Sequence, residues 1–209
     1  MAKEMLVTEG LNELKTLDAR IDRAISDAKF IVDAKDSDKK VTPAQTKDDF
    51  RKKAQGSYNS IIDLIRRREA IKAAIVASNA VTVVEICGEK MTVAKAIETK
   101  SSIEYKKFLL NTMRRQLADA VLSMNKKNAA LEDKITKLVE TSYGKDAKIS
   151  PEDYNSIADP MRKSNEVSLV NPLDLATKIE ELESYIEEFT ATVDAKLQIS
   201  NCTTKIVID

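Results

Sequence analysis

Apolar residues recur three and four apart along most of this chain, the period of amphipathic helices. Leu11, Leu14, Leu17, Ile21, Ile25 and Ala28 form one stripe and predict a first helix from Met5 to Ile31. Asp36-Ser37-Asp38-Lys39-Lys40 reads as a solvated connection. Thr42-Pro43-Ala44-Gln45 then combines an N-cap, a first-turn proline and a capping-box glutamine, so a second helix is expected from there to Ser78. It would bury Phe50, Ala54, Ile61, Leu64, Ile65, Ile71 and Ile75, with Gly56 its weak point.

After Ser78-Asn79 the period changes. Val81 to Ile86 alternates, Cys87-Gly88-Glu89 supplies a turn, Lys90 to Val93 returns, and Thr92 caps the next helix. This third helix is predicted from Val93 to Thr141, with Ile97, Ile103, Phe108, Leu109, Met113, Leu117, Val121, Met124, Leu131, Ile135 and Leu138 on its apolar side. At 1.5 Å per residue it would be on the order of 70 Å long. Gly144 ends it. Ser150-Pro151-Glu152-Asp153 opens a short helix that Asp159-Pro160 should close, and residues 143–170 read as an insertion-like connection. Asn171-Pro172-Leu173-Asp174 starts a fourth long helix whose Leu175, Ile179, Leu182, Ile186, Phe189, Val193 and Leu197 alternate in heptads.

The end of the chain repeats an earlier stretch at one constant offset. Ser78 matches Ser200, Asn79 matches Asn201, Thr82 matches Thr204, Val84 matches Ile206 and Ile86 matches Ile208, which suggests two helix-helix-strand halves. Both asparagines suit the left-handed residue that ends a helix. The expected fold is mainly α over residues 1–209 as one domain. It is an elongated antiparallel bundle or coiled coil of four main helices, with a small β-hairpin and the strand Thr203 to Ile208 joined into one sheet at one end.

Composition narrows the function. Four glycines and four prolines in 209 residues fit a helical protein, and 34 basic residues balance 34 acidic ones, so the field expected of a nucleic-acid binder is absent. Cys87 and Cys202 make no disulfide framework; were the two matching strands side by side and parallel, the cysteines would stand about 20 Å or more apart. No signal peptide and no membrane-spanning run is read, so a reducing cytoplasm is expected, the host's if a phage encodes the chain. With no histidine, Ser-His and Cys-His catalysis and histidine metal sites fall away. The glycines are too scattered for a phosphate loop. Neither an enzyme nor a cofactor or metal is expected.

One polar cluster stands out. Counted back from the hairpin, Arg66, Arg67 and Arg68 lie level with Tyr105, Lys106 and Lys107, a set that could hold a phosphorylated metabolite or nucleotide through forked donors and a stacking ring. The same count brings Glu187 and Glu188 of the acidic fourth helix to that level, so charge pairing between helices, which sets helix order, is the favoured account of the cluster.

Leu64-Ile65 through Asn79, Thr82, Gly88, Met91-Thr92 and Ala96-Ile97-Glu98, then Glu181-Leu182 to Asn201-Cys202-Thr203-Thr204, resemble the septicolysin-like family of small helical proteins of bacteria and their phages. The resemblance covers the first, second and fourth helices and the start of the third; residues 143–170 are extra, and Cys202 stands where the family has tryptophan. It implies a helical, self-associating protein and no established chemistry, so no catalytic residue carries over. The family name suggests a cytolysin, but this sequence offers no export signal and no inserting segment. The sequence thus predicts a homo-oligomer that binds another protein without catalysis, as a phage- or host-encoded regulator or inhibitor. The alternatives are a binder of small anionic ligands and a structural virion component.

Overall fold

The computed structural model describes residues 3–145 and 148–208. In chain order, the elements are β1 (Lys3–Leu6), α1 (Val7–Asp27), β2 (Lys40–Thr42), β3 (Gln45–Thr46), α2 (Lys47–Val81), β4 (Val83–Ile86), β5 (Glu89–Thr92), α3 (Val93–Tyr143), α4 (Pro151–Asn165), α5 (Leu175–Thr203) and β6 (Lys205–Ile208). The protein is mainly helical, with antiparallel strand pairs. It divides into two compact units: Met1–Ser101 with Phe189–Asp209, and Ser102–Glu188.

In the first unit, α1 and α2 close a core of Leu14, Leu17, Ile21, Ile71 and Ile75, to which the strands add Met5, Ile206 and Ile208. The final strand does not join the hairpin as the sequence suggested. β6 pairs with β1, Lys3 opposite Ile208 and Leu6 opposite Lys205, while β4 pairs only with β5, Val83 opposite Thr92 and Ile86 opposite Glu89. The stripe of α1 hides this, because Met5 is buried on either reading; in fact it is an inward strand residue, and the helix begins only at Val7, with Glu9 accepting from the Leu6 N–H at 2.8 Å. At its other end α1 stops at Asp27, short of Ile31, where Ala28 turns extended ahead of the Phe30-Ile31-Val32 run, whose branched residues favour that conformation.

The strand pairs reveal a more complete internal repetition than the C-terminal match alone. Val7 N–H donates to Thr204 O at 3.0 Å, and Val93 N–H donates to Thr82 O at 2.8 Å; Thr204 N–H and Thr82 N–H donate to Ser200 O and Ser78 O, both at 2.9 Å. Met5, Val7, Gly10 and Leu17 of one half occupy the buried positions that Met91, Val93, Ala96 and Ile103 hold in the other. Each half is therefore a strand, two long helices and a strand, with each closing strand bonded to the other half's opening one.

Those Ser-Thr bonds also correct the reading of the asparagines. Asn79 and Asn201 sit inside their helices, which run on to Val81 and Thr203; neither has positive φ, and each helix ends when the following threonine turns extended or leaves the helix. The left-handed residues near Asn79 are instead Cys87 (φ 52°) and Gly88 (φ 71°), the two central residues of the β4–β5 turn, as a type I′ hairpin requires. Thr42-Pro43-Ala44-Gln45 does not start α2 either. It forms the turn between β2 and β3, and the cap lies at Thr46, whose Oγ1 accepts from Asp49 N–H at 3.1 Å. Proline, lacking a donor, fits the turn as readily as a helix start.

In the second unit, α4 lies on the end of α3 through Ala158, Ile157 and Met161 against Leu131, Ile135 and Val139. The Ser150 cap is observed, but Pro160 does not end α4, which continues to Asn165. Proline forfeits one hydrogen bond and strains the turn before it, and the contacts of Ala158 and Met161 and the Arg162 ion pair on either side hold the helix through it. Asn128 then fixes the following segment: its Nδ2 donates to Val167 O and its Oδ1 accepts from Val167 N–H, both at 2.8 Å.

Candidate functional site

The six residues of the basic cluster divide between the units. On α2, Arg67 forks onto Glu13 of α1, Nε to Oε1 at 2.9 Å and Nη2 to Oε2 at 3.3 Å, and Arg68 Nε donates to Asp18 Oδ1 at 2.5 Å. Arg66 lies 3.8 Å from Asp63 on its own helix, with both side chains exposed. The carboxylates that meet Arg67 and Arg68 thus come from α1 rather than from the acidic fourth helix. The Arg67 hydrogen bond holds the Glu13 carboxyl below the usual glutamate range against the opposing pull of burial, and the bond to Asp18 pushes the Arg68 guanidinium up.

In the second unit, Lys107 Nζ sits 2.7 Å from Glu104, and Lys106 Nζ lies 3.6 Å from the centroid of the Tyr185 ring, a cation–π distance. Tyr105 is 79% exposed. Of the acids on α5, Glu183 pairs with Arg114, and in the first unit Asp194 pairs with Lys100 at 2.5 Å. An anionic ligand at Arg67 or Arg68 would have to displace a carboxylate already in place. Among the described residues no buried side-chain nitrogen or oxygen lacks a hydrogen-bond partner, and no cluster of three or more acidic, cysteine or histidine side chains is placed to hold a metal. Neither Cys87 nor Cys202 is part of a disulfide. No helix among the described residues is long and apolar enough to cross a membrane.

What the sequence missed is apolar. The period of α3 set Phe108 and Leu109 on its buried side; they are 73% and 50% exposed, and Leu110, one residue on, is buried in their place. With Tyr105 they form a ridge at i, i+3 and i+4 spacing, on one helix face. Beside it lies an open groove of about 510 Å³ lined by Leu109, Met113, Leu173, Leu175, Leu182 and Tyr185. A second open hollow, about 720 Å³, lies in the first unit among Ile25, Phe30, Phe50, Ala54, Tyr58 and Ile61. The available signal was the aromatic pair at Tyr105 and Phe108, which exceeds what a two-helix seam needs, but periodicity does not tell an exposed stripe from a buried one.

These surfaces are wide, shallow and apolar, with their charges paired at the margins. No protein-family model, curated protein or solved structure matches this chain.

Proposed function

We propose that the protein is a non-catalytic binding protein, a regulator or inhibitor encoded by a phage or its host, that works by docking a helical surface onto another protein. The observation that carries this reading is the exposed ridge of Tyr105, Phe108 and Leu109 beside its apolar groove. Exposed apolar clusters of this kind mark protein contacts, because leaving them in water forgoes the free energy of burial. The cations that would serve a small anion are engaged by Glu13, Asp18 and Glu104, which favours docking over ligand capture.

Native mass spectrometry of gently purified protein, compared with its denatured mass, tests the reading. A bound polypeptide that leaves on denaturation supports it. A stoichiometric small anionic adduct, lost when Arg67→Glu is introduced with helicity unchanged, overturns it in favour of ligand binding.

A further inference from the structure

The internal repetition supplies a control within one chain. Aligning Val7 with Val93 and Leu17 with Ile103 sets Ala19, Asp22 and Arg23 of α1 against Tyr105, Phe108 and Leu109 of α3. All six are exposed. One half thus meets water with a small residue and two charges, and the other with two aromatic rings and a leucine. Helix architecture does not require those rings, because the matching positions of α1 make the same helix without them.

We infer that this ridge and the groove beside it form a two-fold interface with a second copy of the chain. The inference deepens the docking reading by naming a partner and a face. Three observations select a copy of the same chain. First, a projecting ridge (Tyr105, Phe108) and a receiving groove (Met113, Leu173, Leu182) lie side by side in one unit and share Leu109. One two-fold rotation then seats each ridge in the other's groove, the self-complementary geometry of an isologous contact.

Second, the margin of the patch is electrically balanced. Lys178 pairs with Glu181 at 2.6 Å, Lys107 with Glu104 at 2.7 Å, and Arg114 with Glu183. Lys106, over the Tyr185 ring of the groove, adds one positive charge to these three balanced pairs, so the rim gives little preference for an acidic or basic partner and two identical rims approach with little repulsion; the whole chain is neutral, with 34 charges of each sign. Third, the area suffices. Tyr105, Phe108, Leu109 and Leu173 are 79%, 73%, 50% and 66% exposed. With an aromatic side chain worth about 150–250 Å², they and the groove lining bury roughly 600 Å² per copy, about 1,200 Å² for the pair, the lower bound of specific interfaces.

Sedimentation equilibrium on the full chain tests this, with circular dichroism to follow the fold. The wild type sediments as a dimer at about 100 µM, and Phe108→Glu weakens association by at least about tenfold at unchanged helicity, the loss expected of a central anchor. Leu109→Lys, at the junction of ridge and groove, is the second variant and dissociates the dimer in the same way. Arg23→Glu, at the position of α1 that matches Leu109, leaves the dimer intact. A monomeric wild type at that concentration overturns the inference, as does a dimer that survives both substitutions on α3 with its helices intact. Either result leaves the wider docking reading to stand or fall on the separate test of bound polypeptide.

Discussion

Gly10 and Ala96 occupy the same place in the two halves, the first turn of a helix that follows a strand, and the structure makes their exchange informative. Ala96 is fully buried. Ala96→Gly loses a buried methyl, about 0.8 kcal/mol, and the helix preference of alanine over glycine, about 0.5–1 kcal/mol. Both losses act in one direction, so the variant is less stable by about 1.5 kcal/mol. Gly10→Ala would recover the same two contributions, but its methyl would stand 3.2 Å from Ile206 Cδ1, 3.3 Å from Ile75 Cδ1 and 3.4 Å from Ile71 Cγ2. Crowding in a filled core costs about 1–3 kcal/mol, and here the two nearest atoms are the ends of isoleucine side chains, at the low end of that range. The gain is therefore cancelled to within about 0.5 kcal/mol. Urea denaturation followed by circular dichroism reads both variants from the midpoint shift at constant slope. Gly10→Ala stabilising by as much as Ala96→Gly destabilises would refute the crowding assigned to Gly10 by Ile206, Ile75 and Ile71.

Three further outcomes rest on named contacts. Asn128→Ala removes both hydrogen bonds to Val167, at a cost of about 1–2 kcal/mol, and hydrogen exchange speeds first in residues 166–170. Cys87 has a left-handed backbone at φ 52°, which asparagine adopts more readily in this type of turn; Cys87→Asn raises stability by a few tenths to about 1 kcal/mol, and Gly88→Ala lowers it, both read from denaturation midpoints. The Glu13 carboxyl, held by Arg67 below its ordinary value of 4.5, contributes stability that is present above that value and lost as pH falls through the lowered folded value. For this pair, with side chains 29% and 31% exposed, the contribution is up to about 1 kcal/mol, so the wild type's advantage over Arg67→Gln is flat near neutrality and disappears in acid titrations of the denaturation midpoint.

Signals confined to one turn of chain were legible in the sequence. Thr92 and Ser150 cap the helices they were expected to cap, each accepting a backbone N–H at 3.1 Å. Cys87-Gly88 turns where glycine permits it. Where two local signals compete, tertiary contacts decide. Thr42-Pro43 reads as a helix start, but the β2–β3 pairing makes it a turn and moves the cap to Thr46. Ser78-Asn79 reads as an ending, but a last turn closed onto Ser78 O carries the helix on to Thr82. Strand partners were not legible, because β1 and β6 lie at opposite ends of the sequence and no period links them. The same holds for the basic cluster. The types of Arg67 and Arg68 are plain in the sequence, but Glu13 and Asp18, their partners, lie on another helix at a distance that only folding sets.

The two halves share a frame and differ in what they turn outward, and that difference bears on function more directly than the frame does. Glu13 and Asp18 make α1 an electrostatic partner for α2, and the outward Asp22 and Arg23 keep its far side in water. On α3 the matching stretch pairs Lys100 with Asp194 of α5 and Lys107 with Glu104 within the helix, and it carries aromatic rings where α1 has Ala19 and Asp22. A duplicated helix kept only to fill a bundle gains nothing from exposed rings, since each costs solubility and adds no internal contact. Rings at these positions of α3, where the matched positions of α1 have none, are explained if this stretch of α3 is an adhesive face, a division in which Phe108→Glu changes assembly and Ala96→Gly changes stability, with little exchange between the two effects.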